Sequence, residues 1–322
     1  MTCSEFDLIR RFFSEQSLQR ADVPLGIGDD AALLAPPPGK LLAISVDTLI
    51  AGVHFPLDTA ARAVGHKSLA VNLSDLAAMG AEPAWATLAL SLPTTDDSWL
   101  TGFSQGFFTL AREHGVQLVG GDTTRGPLSI TMQVTGFVAQ GQALTRSGAQ
   151  VGDGIYLTGS IGDAGLGLHL YQQGAAVKDP NTEALIHRLE FPAPRVSAGL
   201  TLRGRASSAI DVSDGLAADL GHVLTASSVG ADIQIEQLPL SSAYRTFAGA
   251  DHWQAAVSAG DDYELCFTLP AGQAAVLDEL DCPCTRIGVI SATAGLRWHA
   301  ANGTSITIDH TGFDHFASGR AS

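Results

Sequence analysis

The chain has 322 residues, 45% of them hydrophobic, enough for two packed domains. Its 18 Lys and Arg stand against 33 Asp and Glu, and the formal net charge of −15 argues against nucleic acid or an anionic membrane as the main partner. No apolar run approaches the roughly 20 residues of a membrane span. Glu5 and Asp7 interrupt any leader-like start, so the expected location is a reducing cytoplasm.

In chain order, Ser4 and Asp7 cap a helix that carries Phe6, Ile9, Phe12 and Phe13. Residues 41–46 form a short buried strand ending at Asp47, and 61–79 have helical spacing. Strands are predicted at 86–92 and 129–138. A helix spans 99–114 and stops at Gly115. A short strand at 117–119 leads into Gly120-Gly121-Asp122. The Gly- and Ser-rich stretch 140–154 marks a domain boundary, dividing 1–145 from 146–322.

The second half opens with a strand at 154–158 and a glycine-rich turn, 159–167, that leads into a helix. A helix at 183–189, a strand at 207–210 ending on Asp211, a helix at 216–227 and a strand at 233–235 follow. Strands at 265–269, 285–290 and 305–308 complete a mixed sheet. Strand and helix alternate in both halves, so the fold class is α/β, layered, in two domains, each a mixed sheet with flanking helices.

Across this frame aspartate recurs in short motifs: Gly26-Ile-Gly-Asp-Asp30, Ser45-Val-Asp47-Thr48, Asn72-Leu-Ser-Asp75-Leu, Gly120-Gly-Asp122-Thr-Thr-Arg-Gly126, Asp211-Val-Ser-Asp214-Gly215 and Ala259-Gly-Asp261-Asp262-Tyr-Glu264-Leu. Any one of them has an ordinary reading as a turn or a helix cap. Six together do not. Two carboxylates 4 Å apart repel by roughly 4 kcal/mol at an effective dielectric of 20, so carboxylates gathered in one place need cations. Hard oxygen donors favour Mg²⁺ or Ca²⁺, and Mg²⁺ commonly bridges carboxylates to substrate phosphates.

Other patterns carry less. No glycine loop runs into Lys-Ser or Lys-Thr, which excludes a P-loop. Gly102-Phe-Ser104-Gln-Gly106 matches a hydrolase nucleophile elbow, but it falls inside a helical pattern where that elbow cannot form. Of the four cysteines, Cys3, Cys266, Cys282 and Cys284, the last two have the wrong spacing for a zinc pair, and inert thiols are expected. Lys67 lies among apolar residues, where snorkelling or a phosphate contact would each account for it. Trp85, Trp99 and Trp253 are expected to serve packing.

Taken with Gly52-Val-His54-Phe55, Leu144-Thr-Arg146-Ser-Gly148 and Gly312-Phe313-Asp-His-Phe316, the aspartate motifs resemble the thiamine-monophosphate kinase family over nearly the whole chain. Single motifs are shared with the wider superfamily of aminoimidazole ribonucleotide and selenophosphate synthetases. Another ATP-dependent synthetase of that superfamily, or a non-catalytic metal- or nucleotide-binding protein, is the competing expectation.

The resemblance implies ATP-dependent phosphorylation of thiamine monophosphate to thiamine diphosphate. It also implies an N-terminal sheet that pairs with its twin in a homodimer, and an active site in a cleft between domains. Asp30, Ser45, Asp47, Asp75, Asp122, Asp211 and Asp214 would surround several Mg²⁺ ions, with Asp30, Asp75, Asp122 and Asp214 as the catalytic set. Gly121, Asp122, Arg146 and Ser213 would meet ATP. His54, Asp261 and Phe313 would meet the thiamine phosphate.

Three positions depart from the family. Val46 replaces the Thr of Ser-Thr-Asp, so it can ligate only through its backbone carbonyl. Asp261 replaces Glu and is one carbon shorter, which leaves Glu264 as the alternative contact. Phe313 replaces Tyr or Trp and keeps only a stacking face. The acceptor phosphate is already ionised at neutral pH, so direct in-line transfer with no strong general base is expected.

Overall fold

A computed structural model describes residues 5–174, 179–248, 252–306, 308 and 312. Ser4, Cys3 and Phe313 lie outside the described residues. The chain divides into two compact units, Met1–Ala143 and Leu144–Ser322.

The first unit contains α1 (Glu5–Ile9), a π-helical turn (Arg10–Ser14), β1 (Lys40–Ile50), α2 (Ala61–Ala78), β2 (Glu82–Leu92), α3 (Asp97–Glu113), β3 (Gln117–Arg125) and β4 (Ser129–Ala139). Its four strands run in the order β1-β4-β2-β3, antiparallel except for the parallel pair of β2 and β3. α2 is covered on most sides, packing against both the sheet and α3, and it buries polar Lys67, Ser68, Asn72 and Ser74 along with its apolar residues. The two helices touch backbone to backbone. A Cβ on Gly65 would overlap the Phe103 carbonyl, and one on Gly106 the Arg62 carbonyl. Gly102 to Gly106 therefore lies within a packed helix, and the Ser104 hydroxyl bonds the Thr101 carbonyl at 3.2 Å instead of standing on an elbow. Asp96 caps α3, its carboxylate accepting from the amides of Ser98 and Trp99.

Two strand expectations are corrected by long-range pairing. β1 runs on to Ile50, so Asp47 lies within the strand instead of ending it. β3 runs through Gly120, Gly121 and Asp122 to Arg125, paired residue by residue with β2 after a register shift at Ala86/Thr87. Gly121, at φ 151°, is required there, because any Cβ would overlap the Leu88 carbonyl.

The second unit contains β5 (Gly154–Thr158), α4 (Asp163–Gln172), α5 (Pro180–Glu190), α6 (Val196–Leu202), β6 (Ser208–Asp211), α7 (Leu216–Ser227), β7 (Gly230–Gln234), α8 (Ser242–Ala248), α9 (Trp253–Ser258), β8 (Leu265–Leu269), β9 (Cys284–Ser291), β10 (Gly295–His299) and β11 (Ser305–Ile306). Its seven strands run β11-β10-β7-β9-β5-β8-β6, with a parallel pair at β10 and β7. Leu220 and Val223 of α7, Ile233, Ile287 and the Trp253–Trp298 ring pair, with centroids 5.4 Å apart, build its core. Both units are thus mixed sheets with flanking helices. No helix among the described residues is long and apolar enough to cross a membrane.

Candidate active site

In the first unit a cavity of about 580 Å³ is lined by Asp29, Asp30, Gly120, Gly121 and Asp122 together with Phe6, Ile9, Phe13 and Ile27. The loop before β1 and the middle of β3 thus share a concave surface that brings carboxylates beside apolar side chains. Asp29 accepts from the Asp30 amide at 2.9 Å, a local turn contact.

A second group forms on the helix-covered face of the sheet. Ser45 and Asp47 are two residues apart on β1 and so share that face. The Ser45 hydroxyl donates to the Asp75 carboxylate of α2 in a short hydrogen bond. Val46 faces the other way and is 59% exposed, so its side chain takes no part in this group.

The register separates the two groups. Asp47 pairs with Met132, Met132 with Leu88, and Leu88 with Gly121, so Asp47 and Gly121 lie in one row at opposite edges of the sheet. That row crosses three strand intervals, roughly 14 Å along the sheet. Asp122 pairs with Ala89, one position on along the same edge.

His54 follows β1 in a tight turn, where its Nδ1 accepts from the Ile50 amide at 3.0 Å. The neutral ring therefore carries its proton on Nε2. Lys67 is only 3% exposed, so its head does not snorkel to solvent.

In the second unit the motifs at 211–215 and 259–265 are zipped together. The Asp261 amide donates to the Ser213 carbonyl, the Tyr263 amide to the Val212 carbonyl and the Val212 amide to the Glu264 carbonyl, each at 2.8 Å. Gly260 and Gly215 permit this approach, since a Cβ on either would run into the facing backbone. Asp211 ends β6 and is buried, at 5% exposure.

Asp219, in the first turn of α7 and 3% exposed, accepts from three successive amides, Ser213, Asp214 and Gly215, at 3.0, 3.1 and 3.2 Å. Burial, with the neighbouring Asp214 carboxylate, pushes Asp219 up to about 7. Gly312, at φ 145°, packs on the same loop, where a Cβ would press on Ala218 and the Asp214 carbonyl. Arg146 lies on the exposed segment beside β6, between the Thr145 carbonyl that accepts from the Ala209 amide and the Ser227 hydroxyl that donates to its own carbonyl.

Glu264 is not an alternative substrate contact. It is 0% exposed, and its carboxylate accepts from Arg188 at 2.7 Å, from Arg195 at 2.6 Å through two nitrogens, and from the Thr158 hydroxyl at 2.7 Å. Asp262, 2% exposed, takes the Gly162 amide on both carboxylate oxygens at 2.9 Å and is likewise structural; burial raises it well above the usual carboxylate range. Asp261 alone of the three acids is half-exposed. Asp219, Arg188 and Arg195 were not singled out from the sequence. An acid in the first turn of a helix, as Asp219 is in α7, is an ordinary helix-start signal, whereas nothing local marks the two arginines.

The donor set of both units is oxygen throughout, which suits Mg²⁺. Among the described residues no three His, Cys, Asp or Glu converge as a metal cage. An ion that keeps several waters and binds one or two carboxylates plus substrate phosphate needs no such cage. Burial pushes the thiols of Cys282 and Cys284 up to about 11 and about 12, which leaves them protonated and inert.

Two mixed-sheet units with aspartates set in and beside their strands and a glycine-lined cavity define a class that the comparisons identify. Residues 28–138 match the family described as AIR synthase related protein, N-terminal domain, and residues 150–299 its C-terminal domain. The chain is 49% identical to the thiamine-monophosphate kinase of Escherichia coli (strain K12), over 99% of this chain and 100% of that protein. It is 35% identical to that of Bacillus subtilis (strain 168), over 97% and 99%.

Among solved structures, thiamine-monophosphate kinase from Stenotrophomonas maltophilia K279a superposes with a TM-score of 0.87 at 49% identity, covering 95% of this chain and 99% of that one. A structure described as AaThiL complexed with AMPPCP and TMP superposes at 0.79 with 30% identity, covering 97% of each. The hydrogenase maturation protein HypE, at 22% identity and a TM-score of 0.78, shares the fold. The chain belongs to the AIR synthase related family and, within it, to the thiamine-monophosphate kinases.

Proposed function

We propose that the protein transfers the γ-phosphoryl group of ATP to the phosphate of thiamine monophosphate, giving thiamine diphosphate and ADP. The observation that carries this reading is the 49% identity to a thiamine-monophosphate kinase over 99% of the chain. The AMPPCP- and TMP-bound relative supports the pair of substrates.

In this reading Gly121, Asp122, Arg146 and Ser213 hold the nucleotide, and His54, Asp261 and Phe313 meet the thiamine phosphate. Asp30, Ser45, Asp47, Asp75, Asp122, Asp211 and Asp214 would hold Mg²⁺, with Asp30, Asp75, Asp122 and Asp214 as the catalytic set; since the register keeps Ser45, Asp47 and Asp75 apart from Asp122 within one sheet, a site that uses them all needs both sheets of a homodimer. Bound Mg²⁺ would neutralise phosphate charge and hold the phosphates in position. The protein's own part is orientation and exclusion of water. The acceptor oxygen is already anionic, so transfer is direct and in line, without a phosphoenzyme. Chiral-phosphate analysis tests this: inversion at phosphorus is expected, and net retention contradicts it.

The protein acts as a homodimer joined through its N-terminal sheet. Support comes from the open face and edge of β1, where Leu42, Ile44, Val46 and Ile50 are 46, 60, 59 and 41% exposed in a row that water alone would not favour. Val46→Lys is expected to shift the sedimentation species from dimer toward monomer.

A further inference from the structure

Three non-glycine residues among those described have a left-handed backbone: Ser228, Asp261 at φ 68° and Tyr263 at φ 51°. Ser228 ends α7 as an ordinary left-handed C-cap. The other two bracket Asp262 in the segment that enters β8. Such a conformation is costly for a bulky residue and persists only where the surroundings over-determine it.

Here they do. The amides of Asp261 and Tyr263 are held by the carbonyls of Ser213 and Val212, Asp262 is locked on the Gly162 amide, and Glu264 is locked on Arg188, Arg195 and Thr158. The two left-handed residues send Asp262 inward and leave Asp261 half-exposed beside the 211–215 loop. They also fold Tyr263 back, so that its hydroxyl donates to Asp261 Oδ1 at 2.9 Å while its ring stays buried, at 8% exposure.

A turn that needed only to reverse direction would place glycine at these positions, as the chain does at Gly159, φ 55°, and Gly162, φ 83°. A phenol on a half-exposed carboxylate does something a glycine cannot. It fixes the rotation of the carboxylate without neutralising it, because the donor is uncharged.

We propose that Tyr263 is a positioning residue for substrate recognition, its hydroxyl holding the Asp261 carboxylate in the orientation that accepts an N–H from the amino-substituted ring of the thiamine phosphate. The inference rests on the reading of Asp261 as a substrate contact. It explains how an acid one carbon shorter than glutamate serves there: the orientation is set by a neighbouring hydroxyl instead of by side-chain reach.

The test compares Tyr263→Phe, Asp261→Ala and the double variant in the full-length protein, with steady-state kinetics in both substrates. Tyr263→Phe keeps the buried ring, so the melting temperature stays close to wild type. It raises KM for thiamine monophosphate about 5-fold, the effect of one lost hydrogen bond, with kcat and KM for ATP within 2-fold. Asp261→Ala raises the same KM at least as far, and the double variant is no worse than Asp261→Ala. Wild type discriminates against the analogue whose ring amino group is replaced by oxygen, and Tyr263→Phe narrows that discrimination.

An unchanged KM for thiamine monophosphate in Tyr263→Phe, or a parallel rise in KM for ATP, overturns the proposal. If Asp261→Ala leaves that KM unchanged, the Asp261 assignment fails and takes the inference with it, while the kinase reading stands. A wild-type protein that turns over no thiamine monophosphate sinks the kinase reading itself.

Discussion

The Glu264 carboxylate and the Arg195 guanidinium meet through two hydrogen bonds of 2.6 Å, with the carboxylate wholly buried. Arg188 adds a second charged partner at 2.7 Å. The pair ties the segment before β8 to α5 and to the residue that opens α6, and so supports the loop that presents Asp261. Glu264→Ala would leave two guanidiniums, 21 and 22% exposed, facing an empty site. Removing one partner of a buried pair costs about 3–5 kcal/mol. Urea unfolding of Glu264→Ala is expected to show a loss in that range, and a loss below ~1 kcal/mol would contradict the role given to the pair.

Gly120 and Gly121 are neighbours with opposite tolerances. A Cβ on Gly120 meets nothing within 4 Å, whereas one on Gly121 overlaps the Leu88 carbonyl at φ 151°. Gly121→Ala is expected to lower the yield of folded protein sharply, or to destabilise it by more than ~3 kcal/mol through overpacking and strain. Gly120→Ala is expected to stay within ~1 kcal/mol of wild type. Thermal unfolding of the two variants side by side checks the register of β3.

Asp232 sits between Arg297 at 2.8 Å and His299 at 2.8 Å, on paired strands β7 and β10. The hydrogen bond from Arg297, with that from His299, lowers it from 3.8 to about 2. A depressed carboxylate stabilises the fold fully above its unfolded pKa and loses that contribution as pH falls through its folded one. The stability gap between wild type and Asp232→Asn should therefore be present at neutral pH and shrink between about 4 and about 2. Acid titration of unfolding in both proteins checks it, and a gap that widens as pH falls would contradict the ion-pair assignment.

Asp75 carries the Ser45 hydrogen bond and stands in the reading as a ligand near the reacting phosphates. Asp75→Asn keeps the shape and removes the charge. Turnover should fall at least ~100-fold, as loss of a transition-state electrostatic group does. Circular dichroism should remain native. A variant with normal turnover and normal Mg²⁺ dependence would remove Asp75 from the site.

How much of this was legible in the sequence depends on where the controlling interactions lie. α7 runs from Leu216 to Ser227 and β8 from Leu265 to Leu269, as periodicity and turn residues indicated, because those signals are local. The reach of β3 was not legible. Gly-Gly-Asp-Thr-Thr reads locally as a loop, and only pairing with β2 makes it a strand. The same holds for β10, a short strand that exists through its parallel pairing with β7.

At the site, the aspartates announced themselves by repetition. The resemblance set Asp261 apart as the substrate contact but left Glu264 open as the alternative, because the burial of Glu264 depends on arginines some seventy positions away.

The central claim is tested most directly by incubating the purified protein with Mg-ATP and thiamine monophosphate and quantifying thiamine diphosphate and ADP together. The account predicts stoichiometric formation of both. It predicts no product from free thiamine, which lacks the acceptor phosphate. ADP release without thiamine diphosphate, or equal turnover of free thiamine, would contradict it.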